Sequence, residues 1–178
     1  MFEDEENDSY KSHEEIKKMP VFKKAWELSK LVKHLIKSVE NTEIDFKSEY
    51  EKGMLYKNLL YLAENSMIIP AKISGAEAAD IYDLKMENAA IIRKAARDLI
   101  TDARGLEMCG YKEEEYLDLL RSEVEEFRIL FAQWVKTFDP WNYIIDRWGL
   151  FNPPGINYDD KDPDDDIPFN PFDELGDL

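Results

Sequence analysis

The chain is poor in the residues that usually carry chemistry. It has one cysteine and two histidines in 178 residues. A lone Cys109 excludes an internal disulfide. It is expected to fill a helix end, since no His or Lys cluster stands near it in sequence to lower its pKa. Neither His13 nor His34 follows a glutamate at the Glu-x-x-His spacing of a di-iron bundle. No Ser-His-Asp set, phosphate loop or zinc pattern is present. Asp162, Asp164, Asp166, Asn170 and Asp173 follow a calcium loop superficially. The glycine such a loop needs at its sixth position is Ile167, and prolines occupy three further positions. These absences point to a protein that is not an enzyme and uses no cofactor. No apolar run approaches the roughly 18 residues of a membrane span. Met1-Phe2-Glu3-Asp4-Glu5-Glu6 lacks the basic and apolar regions of a signal peptide. The expectation is a cytoplasmic protein with no membrane partner.

What the chain has in excess is negative charge. There are 39 acidic against 23 basic residues, a formal net charge of −16. A uniformly acidic surface would repel nucleic-acid phosphates. The charge is not uniform, however. Residues 1–15 hold seven acids and one base, and residues 151–178 hold nine acids and one base. The 135 residues between them are almost balanced, with 23 acids and 21 bases. Both end segments read as disordered acidic tails. The first is charged and nearly free of apolar residues, and the second sets five prolines among repeated aspartates.

The middle of the chain is helical by its periodicity. Val21, Ala25, Leu28, Val32, Leu35 and Val39 make one stripe at about 100° per residue. A second run spans Glu49 to about Ser74, with Pro70 inside it, and Gly75 predicts a turn. A third spans Ala78 to Met108 and is stopped by Gly110. A fourth starts at Glu113, follows Tyr116, Leu119, Leu120, Val124, Phe127, Leu130, Phe131, Trp134 and Val135, and ends before Asp139-Pro140. Four such runs with short connections predict an all-α, up-and-down four-helix bundle over residues 16–139. Residues 140–150, from Pro140 through Trp141 to Leu150, read as a short aromatic fifth helix that must dock on something, because it is too short to stand alone.

Three stretches bear on ancestry. They are Val21-Phe22-Lys23-Lys24-Ala25-Trp26-Glu27-Leu28, Ser66-Met67-Ile68-Ile69-Pro70-Ala71-Lys72-Ile73-Ser74-Gly75 and Gly110-Tyr111-Lys112-Glu113-Glu114-Glu115-Tyr116. In order and spacing the chain over roughly residues 19–138 resembles the four helix bundle proteins. These are the rRNA intervening-sequence proteins, and the accessory variability determinant of diversity-generating retroelements is similar to them. Both tails and the Trp-rich segment lie outside the resemblance. It implies a helical subunit that assembles as a homo-oligomeric ring, often a pentamer. Members in retroelements bind RNA or DNA and a reverse transcriptase through a basic surface.

The first helix supplies such a surface here. Between Ile16 and Glu40 it has seven lysines against two glutamates. Lys23, Lys30 and Lys37 fall within roughly 40° of one another opposite the apolar stripe, with Lys33 and His34 nearby and Trp26 at the edge. Lysines meet phosphates as point charges, and an exposed tryptophan stacks on a base. The same lysines also fit a plain solvated face. Arg93 and Arg97, followed by Arg104, form a second candidate along the third helix. Asp164-Asp165-Asp166-Ile167-Pro168-Phe169 resembles the acidic tip of bacterial single-stranded-DNA-binding proteins, in which an apolar anchor enters a pocket with a basic rim. Here nine residues follow the Phe. The tail reads equally as a solubiliser or as a mask over the lysine face.

Two functions follow as expectations. The first is a self-assembling accessory protein that binds nucleic acid through its first helix, as a reverse-transcriptase or mobile-element factor. The second is a protein-interaction scaffold whose acidic C-terminal tail docks on a basic partner of DNA or RNA metabolism.

Overall fold

The computed structural model describes residues 11–162 and is all-helical, with five helices and no strand among those residues. The helices are α1 (His13–Lys18), α2 (Pro20–Glu40), α3 (Glu49–Glu77), α4 (Tyr82–Met108) and α5 (Glu114–Val135). No helix of the described chain is long and apolar enough to cross a membrane. α2 packs against α3 and α5, and α4 packs against the same two, while the backbones of the pairs α2/α4 and α3/α5 stay apart. This pairing is compatible with a bundle. The seam between α3 and α4 is the most extensive.

The first correction concerns residues 1–15, read as a disordered tail. Helical structure begins inside that segment. Ser12 caps α1, its hydroxyl accepting the Glu15 backbone N–H at 3.3 Å while the Glu15 carboxylate accepts the Ser12 N–H at 2.8 Å. This reciprocal pair satisfies two donors that a helix start leaves open. Buried Ile16 anchors the turn. Met19 is extended and Pro20 opens α2, where its missing N–H costs nothing.

α2 buries the predicted stripe of Val21, Ala25, Leu28, Val32, Leu35 and Val39. α3 starts at Ser48, whose hydroxyl accepts the Glu51 N–H. It runs three residues past the predicted end, through Pro70 and Gly75. Pro70 has no N–H to give to the Ser66 carbonyl one turn earlier. That carbonyl instead accepts the Ser29 hydroxyl of α2. The proline therefore leaves an acceptor that stitches two helices together, and the helix continues.

α4 ends where Gly110 was expected to stop it. Gly110 takes φ +92°, its N–H bonds the Glu107 carbonyl, and the Tyr111 N–H reaches back to Leu106 at 3.0 Å. This is the paired Schellman closure, which needs a residue with positive φ. In α5 the buried residues are Leu117, Leu120, Phe127 and Trp134. Leu117 was missing from the predicted stripe, while Tyr116 and Leu119 are exposed. The core is formed by such residues as Leu28, Leu62, Ile69, Ile92, Leu99 and Phe127, all with almost no exposure.

The second correction concerns residues 140–150, where no helix forms. The Asp146 carboxylate accepts the backbone N–H groups of Trp148, Leu150 and Phe151, each at 2.9 Å. Asp139 likewise accepts the Trp141 N–H. Aspartates that bond nearby backbone donors offer the chain an alternative to a helix. Here three bonds to one carboxylate win, and they hold Asp146 below its ordinary pKa. Residues 139–162 form an irregular arm tied to the start of α4. Tyr82 N–H donates to the Asn142 carbonyl at 2.7 Å, and Ile144 N–H donates to Asp83 at 2.9 Å.

Candidate nucleic-acid interface

The sequence candidates separate into two surfaces and one segment outside the described residues. The first surface is the outer face of α2. Lys23, Lys30, Lys33 and Lys37 are all exposed, and none makes an ion pair among the described residues. His34 is exposed beside them, and Trp26 is 48% exposed. Together they set four positive charges along one face of α2.

Lys24 belongs to the same basic run but turns inward. It is buried and bonds Glu126 and Glu123 of α5, the latter at 2.7 Å, with Glu27 farther away at 3.7 Å. Burial by itself would lower the Lys24 pKa, but the bonds to Glu123 and Glu126 outweigh it and raise the value. Lys24 therefore fastens α2 to α5 and adds little to the outer field. A depression of about 720 Å³ opens at the C-terminal end of the lysine row. Its walls include His34 and Lys37 of α2 and Tyr116 and Leu119 of α5. The exposure of Tyr116 and Leu119, unforeseen from periodicity, places an aromatic ring beside a lysine and a histidine.

Arg93 and Arg97 do not join this face. They sit on α4, whose backbone stays apart from that of α2. With Arg104 they line a groove of about 890 Å³ between α4 and α5. Its walls include Phe127, Phe131 and Val124. Two of the groove's charges are matched, Lys94 by Asp98 and Arg128 by Glu125. The guanidinium groups of Arg93, Arg97 and Arg104 meet no described carboxylate. Asp164, Asp165, Asp166, Ile167, Pro168 and Phe169 lie outside the described residues.

Three features escaped the sequence reading. The first is a polar node at the α3 C-terminus. The Glu77 side chain, 1% exposed, accepts the Trp134 indole N–H at 2.6 Å and pairs with Lys11. Lys85 stands 3.9 Å from Glu77, bonds Asp80 at 2.8 Å and lies over the Phe138 ring. The second is an exposed apolar line of Tyr56, Leu60 and Met67 on α3, opposite the buried Leu55, Leu59 and Leu62. Its signal was present, since apolar residues populate both faces of that run. The third is the pair Trp141 and Trp148 on the arm, which are almost fully exposed. Cys109 caps α4 and is buried, and burial, then the Glu51 carboxylate, push its thiol above the ordinary value.

No protein-family model, no curated protein and no solved structure matches this chain. The likeness to the four helix bundle proteins rests on the three stretches quoted above.

Proposed function

We propose that the chain is a non-enzymatic accessory protein whose four long helices form an up-and-down bundle and whose α2 face binds nucleic acid. The observation that carries this reading is the unpaired lysine row. Carboxylates outnumber bases across the molecule, yet Lys23, Lys30, Lys33 and Lys37 stand exposed without an ion-pair partner among the described residues. Such a row offers phosphates a line of point charges, and releasing their counterions favours binding. Trp26 at the row's edge and Tyr116 in the adjoining depression supply rings for base stacking. Exposed single-stranded bases suit this combination better than a duplex, whose bases are already stacked. Self-assembly is the second part of the proposal, and the outer apolar line of α3 supports it. A helix that is apolar on both faces has a second surface to bury.

The test is fluorescence anisotropy with labelled single-stranded RNA and DNA at low and moderate salt. The wild-type chain binds at low salt and weakens as salt rises. Lys23→Glu combined with Lys30→Glu lowers affinity at least about tenfold, because each substitution replaces an attraction with a repulsion. Absence of binding at low salt, or equal affinity of the variant, overturns the reading. Circular dichroism of the variant checks that these exposed substitutions leave the helices intact.

A further inference from the structure

The arm and the α4/α5 groove are complementary, and they belong to the same chain. Trp148 is 92% exposed and Trp141 87%, with Leu150 and Ile144 exposed beside them in sequence. Large exposed apolar groups on a soluble domain mark a contact surface when they cluster. These side chains are carried on a built scaffold. The Asp146 carboxylate holds three backbone N–H groups, and Asn152 exchanges two bonds with the Asp146 backbone at 2.7 and 2.9 Å. The Arg147 guanidinium bonds the Tyr158 and Asp160 carbonyls at 2.9 and 2.7 Å. Ile145 and Pro153 are buried and pin the arm down. An arm organised in this way presents its tryptophans at little conformational cost.

The groove has the opposite character. It is apolar along Phe127, Phe131 and Val124, and Arg93, Arg97 and Arg104 meet no carboxylate among the described residues. The arm carries five acids against two bases between Asp139 and Asp162. Arginine also stacks on the tryptophan face, where the ring quadrupole attracts the cation. The near-complete exposure of Trp141 and Trp148 means that neither occupies the groove of its own chain.

We propose that the arm of one copy seats Trp148 and Trp141 in the α4/α5 groove of a second copy. This adds to the self-assembly proposed above a contact separate from the outer line of α3, and rests on that part of the reading alone. Arm and groove are different patches, so the contact is heterologous. Each copy gives one arm and accepts another, which generates a ring if the rotation closes and a filament if it does not. The lysine row of α2 is not used by the contact and remains on the surface of every copy.

Cysteine cross-linking in mixed full-length chains tests the proposal without nucleic acid. One chain carries Leu150→Cys on the arm, the other Ala132→Cys at the groove, and the native Cys109 is buried in both. Mild oxidation yields a disulfide-linked pair of the two chains. Arg97→Glu in the groove chain, or Trp141→Ala with Trp148→Ala in the arm chain, lowers the yield by about thirtyfold, the scale of a lost interfacial hot spot. A control with Lys30→Cys in place of Ala132→Cys gives no product above background. The proposal is overturned if the pair does not form, if the control cross-links equally, or if the tryptophan variants leave the yield unchanged. It is also overturned if one chain carrying both cysteines closes on itself at high dilution. If light scattering shows an oligomer while the cross-link fails, assembly stands and this contact does not.

Discussion

The two seams of α4 behave differently. Against α3 the helix is closed. Gly105 comes so near Asn58 that a Cβ there would overlap the buried carboxamide. Asn65 of α3 donates to the buried Asp102 at 3.3 Å, and at the end of the seam Glu77 of α3 stands 3.9 Å from Lys85 of α4. Against α5 the same helix is open, with a groove of about 890 Å³ and, on its wall, three arginines that meet no carboxylate among the described residues. Small and hydrogen-bonded residues bring helices together, whereas long cations without partners keep a surface wet. One helix therefore contributes a structural face and a face available to a partner.

Breaking the closed seam should cost most. Glu77→Ala orphans the buried Trp134 N–H and removes a carboxylate from Lys11 and Lys85, and should destabilise the chain by about 3 kcal/mol. Urea denaturation reads this, and Glu77→Gln, which keeps an acceptor for Trp134, should recover part of it. Gly105→Ala should cost about 1–2 kcal/mol, since overpacking outweighs the better helix propensity of alanine. Adding Asn58→Ala makes room for the new methyl, so Gly105→Ala should cost less in that background. The two substitutions are then non-additive in a double-mutant cycle. On the open seam, Arg97→Ala should change stability by no more than about 0.5 kcal/mol, as for exposed residues generally, while weakening the arm contact. Equal losses at both seams would erase the contrast.

The smallest effect concerns pH. Burial raises the Asp102 carboxyl above its ordinary value of 3.8, although the Asn65 bond opposes this. Between 3.8 and that raised value the folded chain holds more protons than the unfolded one. Stability from this group is therefore greatest at low pH and falls as pH rises through that window. Asp102→Asn should raise the urea midpoint at neutral pH and remove this part of the pH slope.

Much of this architecture was legible in the sequence. The stripe of α2 and the Gly110 stop of α4 follow from side-chain period and backbone chirality, which are local properties. Local rules failed where one side chain rewired the backbone. Ser29 took the carbonyl freed by Pro70, and α3 outran its predicted end because Gly75 did not turn the chain. Asp146 captured three N–H groups, so the predicted aromatic helix became an arm. The Ser12–Glu15 pair was visible in sequence, but it sat inside a strongly acidic segment whose composition spoke for disorder. Of the candidate site, exposure of the α2 lysines was legible from the wheel. The inward turn of Lys24 and the separation of Arg93 and Arg97 from that face required knowing which helices touch.

The central claim is that the α2 row, and not the α4 groove, meets phosphates. The salt dependence of single-strand binding tests it most directly. Each lysine that neutralises a phosphate adds about 0.7 to the slope of log affinity against log salt. Removing Lys33 and Lys37 together should lower the slope by about 1.4, while Arg93→Gln with Arg97→Gln should leave it unchanged. A slope that falls with the arginines and ignores the lysines would contradict the account.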